Sequence, residues 1–198
     1  MSAFLGPIHY RMYEKIMVQE ELLRRLADKA VQEGWLDSLT DYVRDENRPL
    51  EEIIDEANIH GWLNDRIESV EKRYAELAAR ILSGHEERLE DLQVVAYTLG
   101  TEKAVGADST AGECYQQIEA CTLDGMPCDG VNIVTDKSEA HFSWQQRFDV
   151  HGSYWIAAGG RAEDYYALRQ QFIAGILMAA DYVLTSSGHG EYSLCHKE

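Results

Sequence analysis

Four residues capable of acid–base chemistry and anion binding recur at odd-numbered positions in the second half of the chain. They are His141, Arg147, Asp149 and His151. Apolar residues alternate with polar ones over this segment, which is typical of a β-strand and puts the four side chains on one face. Arginine binds carboxylates through two hydrogen bonds, and histidine transfers protons near neutral pH. The pattern predicts a catalytic or binding face for a small anionic ligand; the alternative is an ordinary solvent-exposed face.

Two of the cysteines lie beside a turn or a terminus, where a thiol is accessible. Cys128 follows Pro127 in a turn, and Cys195 precedes His196 near the end of the sequence. Thiolate sulfur and imidazole nitrogen are preferred ligands of zinc and of several other transition metals. We predict that Cys128 and Cys195 meet in space and, with His151 or His196, form a metal or reactive-thiol site.

The other cysteines and the missing motifs narrow this interpretation. Cys114 and Cys121 share one face of a predicted helix, where they are expected to be small buried apolar residues. His189, six residues before Cys195, is a further candidate ligand. The sequence has no C-x-x-C, H-E-x-x-H, G-x-G-x-x-G or G-x-S-x-G motif, which is evidence against the zinc-ribbon, thioredoxin, zinc-protease, dinucleotide-binding and α/β-hydrolase mechanisms.

The first half of the chain has the periodicity of helices. Its strongest signal is a run of residues spaced alternately by three and four, here called the seam: His60, Leu63, Ile67, Val70, Tyr74, Leu77 and Ile81. A seam of this kind needs a facing helix. We therefore predict that residues 1–105 form an antiparallel helical bundle or hairpin, and that the chain is a homodimer through this region.

The second half has mixed patterns and is predicted to form an α+β unit over residues 106–198. The run GADSTAG at 106–112 marks its start. A short strand, a turn at DKSE, the alternating strand, an apolar helix from Tyr165 to Val183 and a final strand in EYSLCHK follow in that order. This order predicts an antiparallel sheet with a helix covering one face. The fold class of the whole chain is predicted to be α+β.

Charge and hydropathy exclude several classes of partner. The chain has 198 residues, with 18 Lys+Arg against 35 Asp+Glu and a formal net charge of −17. A charge of this sign works against binding to nucleic acid or to an anionic membrane. No apolar run is long enough to span a membrane, and the first residues have no signal-peptide pattern. We expect a cytoplasmic protein with no nucleic-acid and no membrane partner.

The end of the sequence, GILMAADYVLTSSGHGEYSLCHKE at 175–198, resembles the ending of the 4-vinyl reductase type ligand-binding domains and of the related L-2-amino-thiazoline-4-carboxylate hydrolase-like proteins. The resemblance is carried by Gly175 in a predicted helix and Cys195 in the last predicted strand. It implies a small-molecule pocket between the sheet and the helix, with Cys195 at the wall of that pocket.

Three functions from different classes remain open at this point. The first is a small-molecule or metal-binding module that acts as a sensor or carrier. The second is a hydrolase or lyase for a small polar substrate, with His151 or His141 as the base and Cys195 as the nucleophile or ligand. The third is a structural or protein-interaction subunit whose seam binds a partner helix.

Overall fold

The computed structural model describes residues 4–46, 48–138, 141–188 and 190–197. The α-helices in these ranges are α1 (Pro7–Gln32), α2 (Leu50–Ile53), α3 (Ile59–Leu82), α4 (Leu89–Thr101), α5 (Ala111–Cys121), α6 (Gly152–Ala157) and α7 (Ala162–Ile176). The strands are β1 (Asn132–Lys137), β2 (Phe142–Gln146), β3 (Tyr182–Gly188) and β4 (Glu191–His196). A helical N-terminal region thus precedes a small antiparallel sheet, and the predicted α+β class is confirmed.

The helical region is organised around α1. This helix begins at Pro7, whose missing N–H removes one of the amides that would lack a partner in the first turn anyway. Its buried face, which includes Met12, Leu23 and Leu26, packs against α3 and α4. The helical periodicity predicted for the first half of the chain is therefore present in α1, with one face buried.

The seam of α3 is covered within a single chain. Every seam residue from Leu63 to Ile81 is buried, and only His60 at its start is exposed. The covering helices are α1 on one side and α6 on another. The seam therefore needs no second chain, and the homodimer stays a prediction that the seam no longer supports.

The four strands form one sheet in the order β1-β2-β4-β3, with every neighbouring pair antiparallel. The face that carries Phe142, Trp144 and Leu194 is buried against α5 and α7. The strand β3 extends the sheet beyond the strands that periodicity predicted. Val183, which the apolar pattern assigned to the preceding helix, lies in β3, because α7 ends at Ile176.

The long strand predicted over residues 141–151 is wrong beyond its first half. The strand β2 ends at Gln146, and α6 begins six residues later at Gly152, with His151 at its N-cap position. Asp149 ends the extended segment because its carboxylate accepts the backbone N–H groups of His151, at 2.8 Å, and of Gly152, at 2.9 Å. Side-chain capping of this kind starts a helix, so the alternating pattern after Gln146 does not describe a strand.

The two regions of the chain share one hydrophobic core, and their most extensive contact is between α4 and α7. Gly100 of α4 and Gly175 of α7 lie against each other at this crossing. A Cβ atom on Gly100 would overlap the carbonyl oxygen of Phe172, and one on Gly175 would overlap that of Tyr97. The two glycines therefore allow the helix backbones to touch.

None of the helices that the structure describes is both long enough and apolar enough to cross a lipid bilayer.

Candidate functional site

A cleft of about 490 Å³ lies between α7 and the strands β3 and β4. One wall of this space is formed by residues of α7: Ala162, Glu163, Tyr166, Ala167, Arg169, Gln170 and Ile173. The other wall is formed by residues of the sheet: Leu184, Thr185, Ser186 and Tyr192. The walls are mainly apolar and aromatic, with a few hydroxyl and amide groups among them. We refer to this space as the cleft.

A second space of about 460 Å³ adjoins the cleft and shares Tyr166, Ser186 and Tyr192 with it. It is further lined by Gln146, Arg147, Phe148, Asp149, Gly188 and Gly190. Gly190 has a positive φ of 75°, and a Cβ there would lie 2.6 Å from the carbonyl oxygen of Gln146, so glycine is required where the β3–β4 turn passes β2. The two spaces together extend along α7 from Ala162 to Ile173.

Next to the cleft, α7 is held in place by a group of buried polar residues, here called the buried network: Glu71, Asp124, His151, Tyr165 and Arg169. Arg169 donates two hydrogen bonds of 2.8 Å to the two carboxylate oxygens of Asp124. Asn132 donates a further 2.8 Å bond to the same carboxylate. Burial alone would raise the pKa of Asp124, but Arg169 and His151 outweigh it and hold that pKa well below its usual range.

His151 is the centre of the buried network, with only 1% of its side chain exposed. Its Nδ1 lies 3.1 Å from Glu71 Oε1, and its Nε2 lies 2.9 Å from the hydroxyl oxygen of Tyr165 and 3.4 Å from Asp124 Oδ1. Burial would lower the pKa of His151, but Glu71 and Asp124 raise it to about 9. The imidazole is therefore protonated at neutral pH, and both ring nitrogens donate to partners inside the protein.

Glu71 joins the helical region to this network. Its Oε1 also accepts a 2.8 Å hydrogen bond from Gln19 of α1, while its Oε2 has no hydrogen-bond partner among the described residues. Because the network ties α1, α3 and α6 to α7, it fixes the position of the helix that forms one wall of the cleft.

The buried network predicts a particular dependence of stability on pH. His151 has a pKa of about 9 in the folded chain against an ordinary value of 6.5, so its contribution is complete below pH 6.5 and is lost as the pH rises through 9. The lowered pKa of Asp124 contributes above its ordinary value of 3.8 and is lost as the pH falls below it. Urea unfolding should show a decline in the free energy of unfolding between pH 6.5 and 9. A His151→Gln variant that declined equally over this range would contradict the assignment.

The predicted catalytic residues do not share one face. His151 is buried in the network, Asp149 caps α6 and accepts a 2.7 Å bond from the Tyr166 hydroxyl, and Arg147 lines the second space. His141 lies on the face of the sheet that points away from the helices, where its Nε2 is 2.7 Å from Ser143 Oγ. They separate because β2 ends before Arg147, which removes the strand that would have aligned them.

The predicted metal ligands lie in separate surroundings. Cys128 is exposed in the turn Pro127–Asp129, and β2 separates the following strand β1 from the strand β4 that holds Cys195, so no direct pairing of these two strands brings the cysteines together. His196 lies 3.1 Å from Asp181 and points to the face opposite Cys195. Both nitrogens of His151 are already engaged.

Within the described ranges, no group of three or more His, Cys, Asp or Glu side chains has the arrangement that would hold a metal ion. The candidate ligand His189 lies outside the described residues. The expectation that the protein binds zinc or another transition metal stays a prediction.

Cys195 does not line the cleft, contrary to the position that the resemblance implied. It pairs with Val183 and faces away from α7, since its neighbour Leu194 faces the core. Its sulfur lies 4.0 Å from His141 Nδ1, so the structure does bring these two predicted residues together.

Sequence reasoning missed the residues that surround His151 and those that line the cleft. Glu71 follows the seam residue Val70, and Arg169 lies one helical turn after Tyr165 in an apolar helix. A charged residue beside an apolar stripe could have indicated a buried ion pair, since charged side chains are rarely buried without a partner. The partner of each charge was not readable, because Asp124 lies 45 residues before Arg169.

Comparisons of the chain with protein-family models, with curated proteins and with solved structures found no match.

Proposed function

We propose that this chain is a small-molecule-binding module, a sensor or carrier, whose ligand occupies the cleft between α7 and the strands β3 and β4. The observation that carries the proposal is the cleft itself. Its volume of about 490 Å³ lies within the range of about 300–1,000 Å³ that is usual for ligand sites, and its walls combine apolar surface with a few polar groups.

The walls favour a ligand with a flat apolar body. The rings of Tyr166 and Tyr192 and the side chains of Ile173 and Leu184 provide aromatic and aliphatic contact surface. Arg169 is already neutralised by Asp124, so it adds little attraction for an anion. The polar part of the ligand would be recognised by neutral groups of the cleft, such as the amide of Gln170.

The hydroxyl group of Ser186 on β3 is oriented in advance for this role. Ser186 Oγ donates a 2.9 Å hydrogen bond to the carbonyl of Glu191 and accepts one of 3.3 Å from the N–H of Gly188. The hydroxyl oxygen keeps one free lone pair that can accept a hydrogen bond from a ligand. Because this hydroxyl is fixed before a ligand arrives, ordering it adds little to the entropic cost of binding.

The buried network supports binding from behind the wall. The pair Arg169–Asp124 joins α7 to the segment before β1, and His151 joins the same carboxylate to α3 through Glu71. These contacts hold α7 at a fixed distance from the sheet. The residues of the network therefore act as positioning residues for the cleft.

The proposal is tested with N-phenyl-1-naphthylamine, a neutral aromatic dye that fluoresces in apolar sites. We expect saturable binding to the unmodified chain. Ala167 lines the cleft, so Ala167→Trp should fill part of it and weaken binding of the dye by about tenfold or more, a change of about 1.4 kcal/mol.

The matched control is Ala120→Trp, which places the same side chain at an exposed position of another helix, α5. This variant should bind the dye like the unmodified chain, and circular dichroism should show that both variants are folded. Equal binding by Ala167→Trp, or no saturable binding by the unmodified chain, would reject the cleft as the site.

A further inference from the structure

The face of the sheet that points away from the helices carries a cluster of nucleophilic and basic side chains. Cys195 and Ser193 on β4 alternate with the buried Leu194, so both point outward. Ser193 pairs with Ser143 of β2, and the two hydroxyl oxygens are 2.8 Å apart. His141 lies next to this pair, with its ring between Ser143 and Cys195. This cluster is separate from the cleft, which lies on the other face.

The orientation of His141 gives Cys195 a base. The Nε2 atom of His141 lies 2.7 Å from Ser143 Oγ and 3.9 Å from the carboxylate of Asp136, which together favour a hydrogen on that nitrogen. The other nitrogen, Nδ1, then presents its lone pair to the Cys195 sulfur at 4.0 Å. An imidazole in this position can take the proton of the thiol and leave a nucleophilic thiolate.

Among the residues that the structure describes, no histidine is recorded in contact with the sulfur of the other three cysteines. Cys114 and Cys121 are buried, and burial raises the pKa of both thiols. Cys128 is exposed, but the polar atom in contact with its sulfur is a carboxylate oxygen of Asp129 at 3.9 Å, and a carboxylate is a much weaker base than an imidazole. Cys195 is therefore the cysteine best placed to react.

We propose that Cys195, with His141 as its base, is a reactive thiol that forms mixed disulfides with small, positively charged disulfides. In the reaction, His141 takes the proton of Cys195, and the thiolate attacks one sulfur of the small disulfide. A new S–S bond forms to Cys195 as the old S–S bond breaks, so that Cys195 is oxidised and the departing half is reduced. The departing thiolate receives the proton from His141.

Two features of the site determine which disulfides it accepts and how the product behaves. Asp136 adjoins His141, and the whole chain carries a net charge of −17, so the local field favours a cationic reagent over an anionic one. The sulfur of Cys195 contacts Thr185 and His141, and the other cysteines are free thiols elsewhere in the fold. With no second thiol in contact to displace the adduct, the mixed disulfide should persist until an external thiol removes it.

The test measures the rate of adduct formation by intact mass spectrometry at neutral pH, with cystamine as the cationic disulfide. The variant Cys128→Ser keeps Cys195 as the reactive candidate, and Cys195→Ser keeps Cys128. We expect the first to react about tenfold faster than the second, or more, since a positioned base typically contributes at least this much. In the Cys128→Ser background, His141→Gln should remove the advantage.

A matched control is His196→Gln, which changes the histidine next to Cys195 in sequence but on the other face of the strand, and it should leave the rate unchanged. Glutathione disulfide, which is anionic, should react more slowly than cystamine, and added salt should reduce the difference. Equal rates for the two cysteine variants, or an unchanged rate in His141→Gln, would overturn the proposal. A preference for glutathione disulfide would overturn its charge selectivity.

Discussion

Replacement of His151 by alanine should lower the free energy of unfolding by about 3–5 kcal/mol, the usual cost of removing one partner from a buried ion pair. The carboxylates of Glu71 and Asp124 are almost inaccessible to solvent. Because water cannot replace the imidazole, the variant leaves both carboxylates without one of their partners. Arg169 still neutralises Asp124, so most of the loss should come from Glu71. Urea unfolding followed by far-ultraviolet circular dichroism measures the change.

Two further variants make this expectation specific to the buried network. His196→Ala removes an exposed histidine paired with Asp181, and an exposed pair of this kind should cost less than about 1 kcal/mol. The double variant His151→Gln with Glu71→Gln removes both charges of one pair, so it should be more stable than His151→Ala alone. A loss for His151→Ala as small as that for His196→Ala would show that the network contributes little.

The crossing of α4 and α7 should be almost as sensitive. Gly175→Ala forces a methyl group against the carbonyl oxygen of Tyr97, and a backbone oxygen in the middle of a helix cannot rotate away. We expect a loss of about 1–3 kcal/mol, as for other overpacked cores. The corresponding change at Gly100, against Phe172, should cost a similar amount because the same two backbones must separate.

Gly112 provides the matched control for this experiment. It also lies in a helix, α5, but a Cβ atom there would meet no other atom within 4 Å. Gly112→Ala should therefore be neutral or stabilise the chain by up to about 1 kcal/mol, because alanine is the better helix former. The same loss in Gly112→Ala and Gly175→Ala would mean that the crossing has no special role. Thermal unfolding of the three variants decides the matter.

Periodicity in the sequence predicted which helix faces are buried but not what covers them. The seam residues from Leu63 to Ile81 are buried as expected, yet the helices that cover them are α1 and α6 of the same chain. A heptad pattern states only that a helix lies opposite, and it contains no information on which chain supplies that helix. The same limit explains the missed strand β3, since the apolar residues before and after Ile176 continue without a clear change of period.

The candidate sites were less predictable because they depend on contacts between distant parts of the chain. His151 meets Glu71 across 80 residues, and its position depends on a helix cap at Asp149 that the alternating pattern concealed. Cys195 meets His141 across 54 residues through the register of β2 and β4. Residue types indicated histidines and cysteines worth following, but strand order and register decide which of them meet.

The irregularities at the two edges of the sheet affect how the chain behaves at high concentration. Both outer strands, β1 and β3, have a break in register, between Val134 and Asp136 and between Ser186 and Gly188. A regular edge strand exposes a row of unpaired N–H and C=O groups that can template amyloid-like growth, and a bulge interrupts that row. Each edge of the sheet thus carries one interruption that works against strand-by-strand addition of further copies.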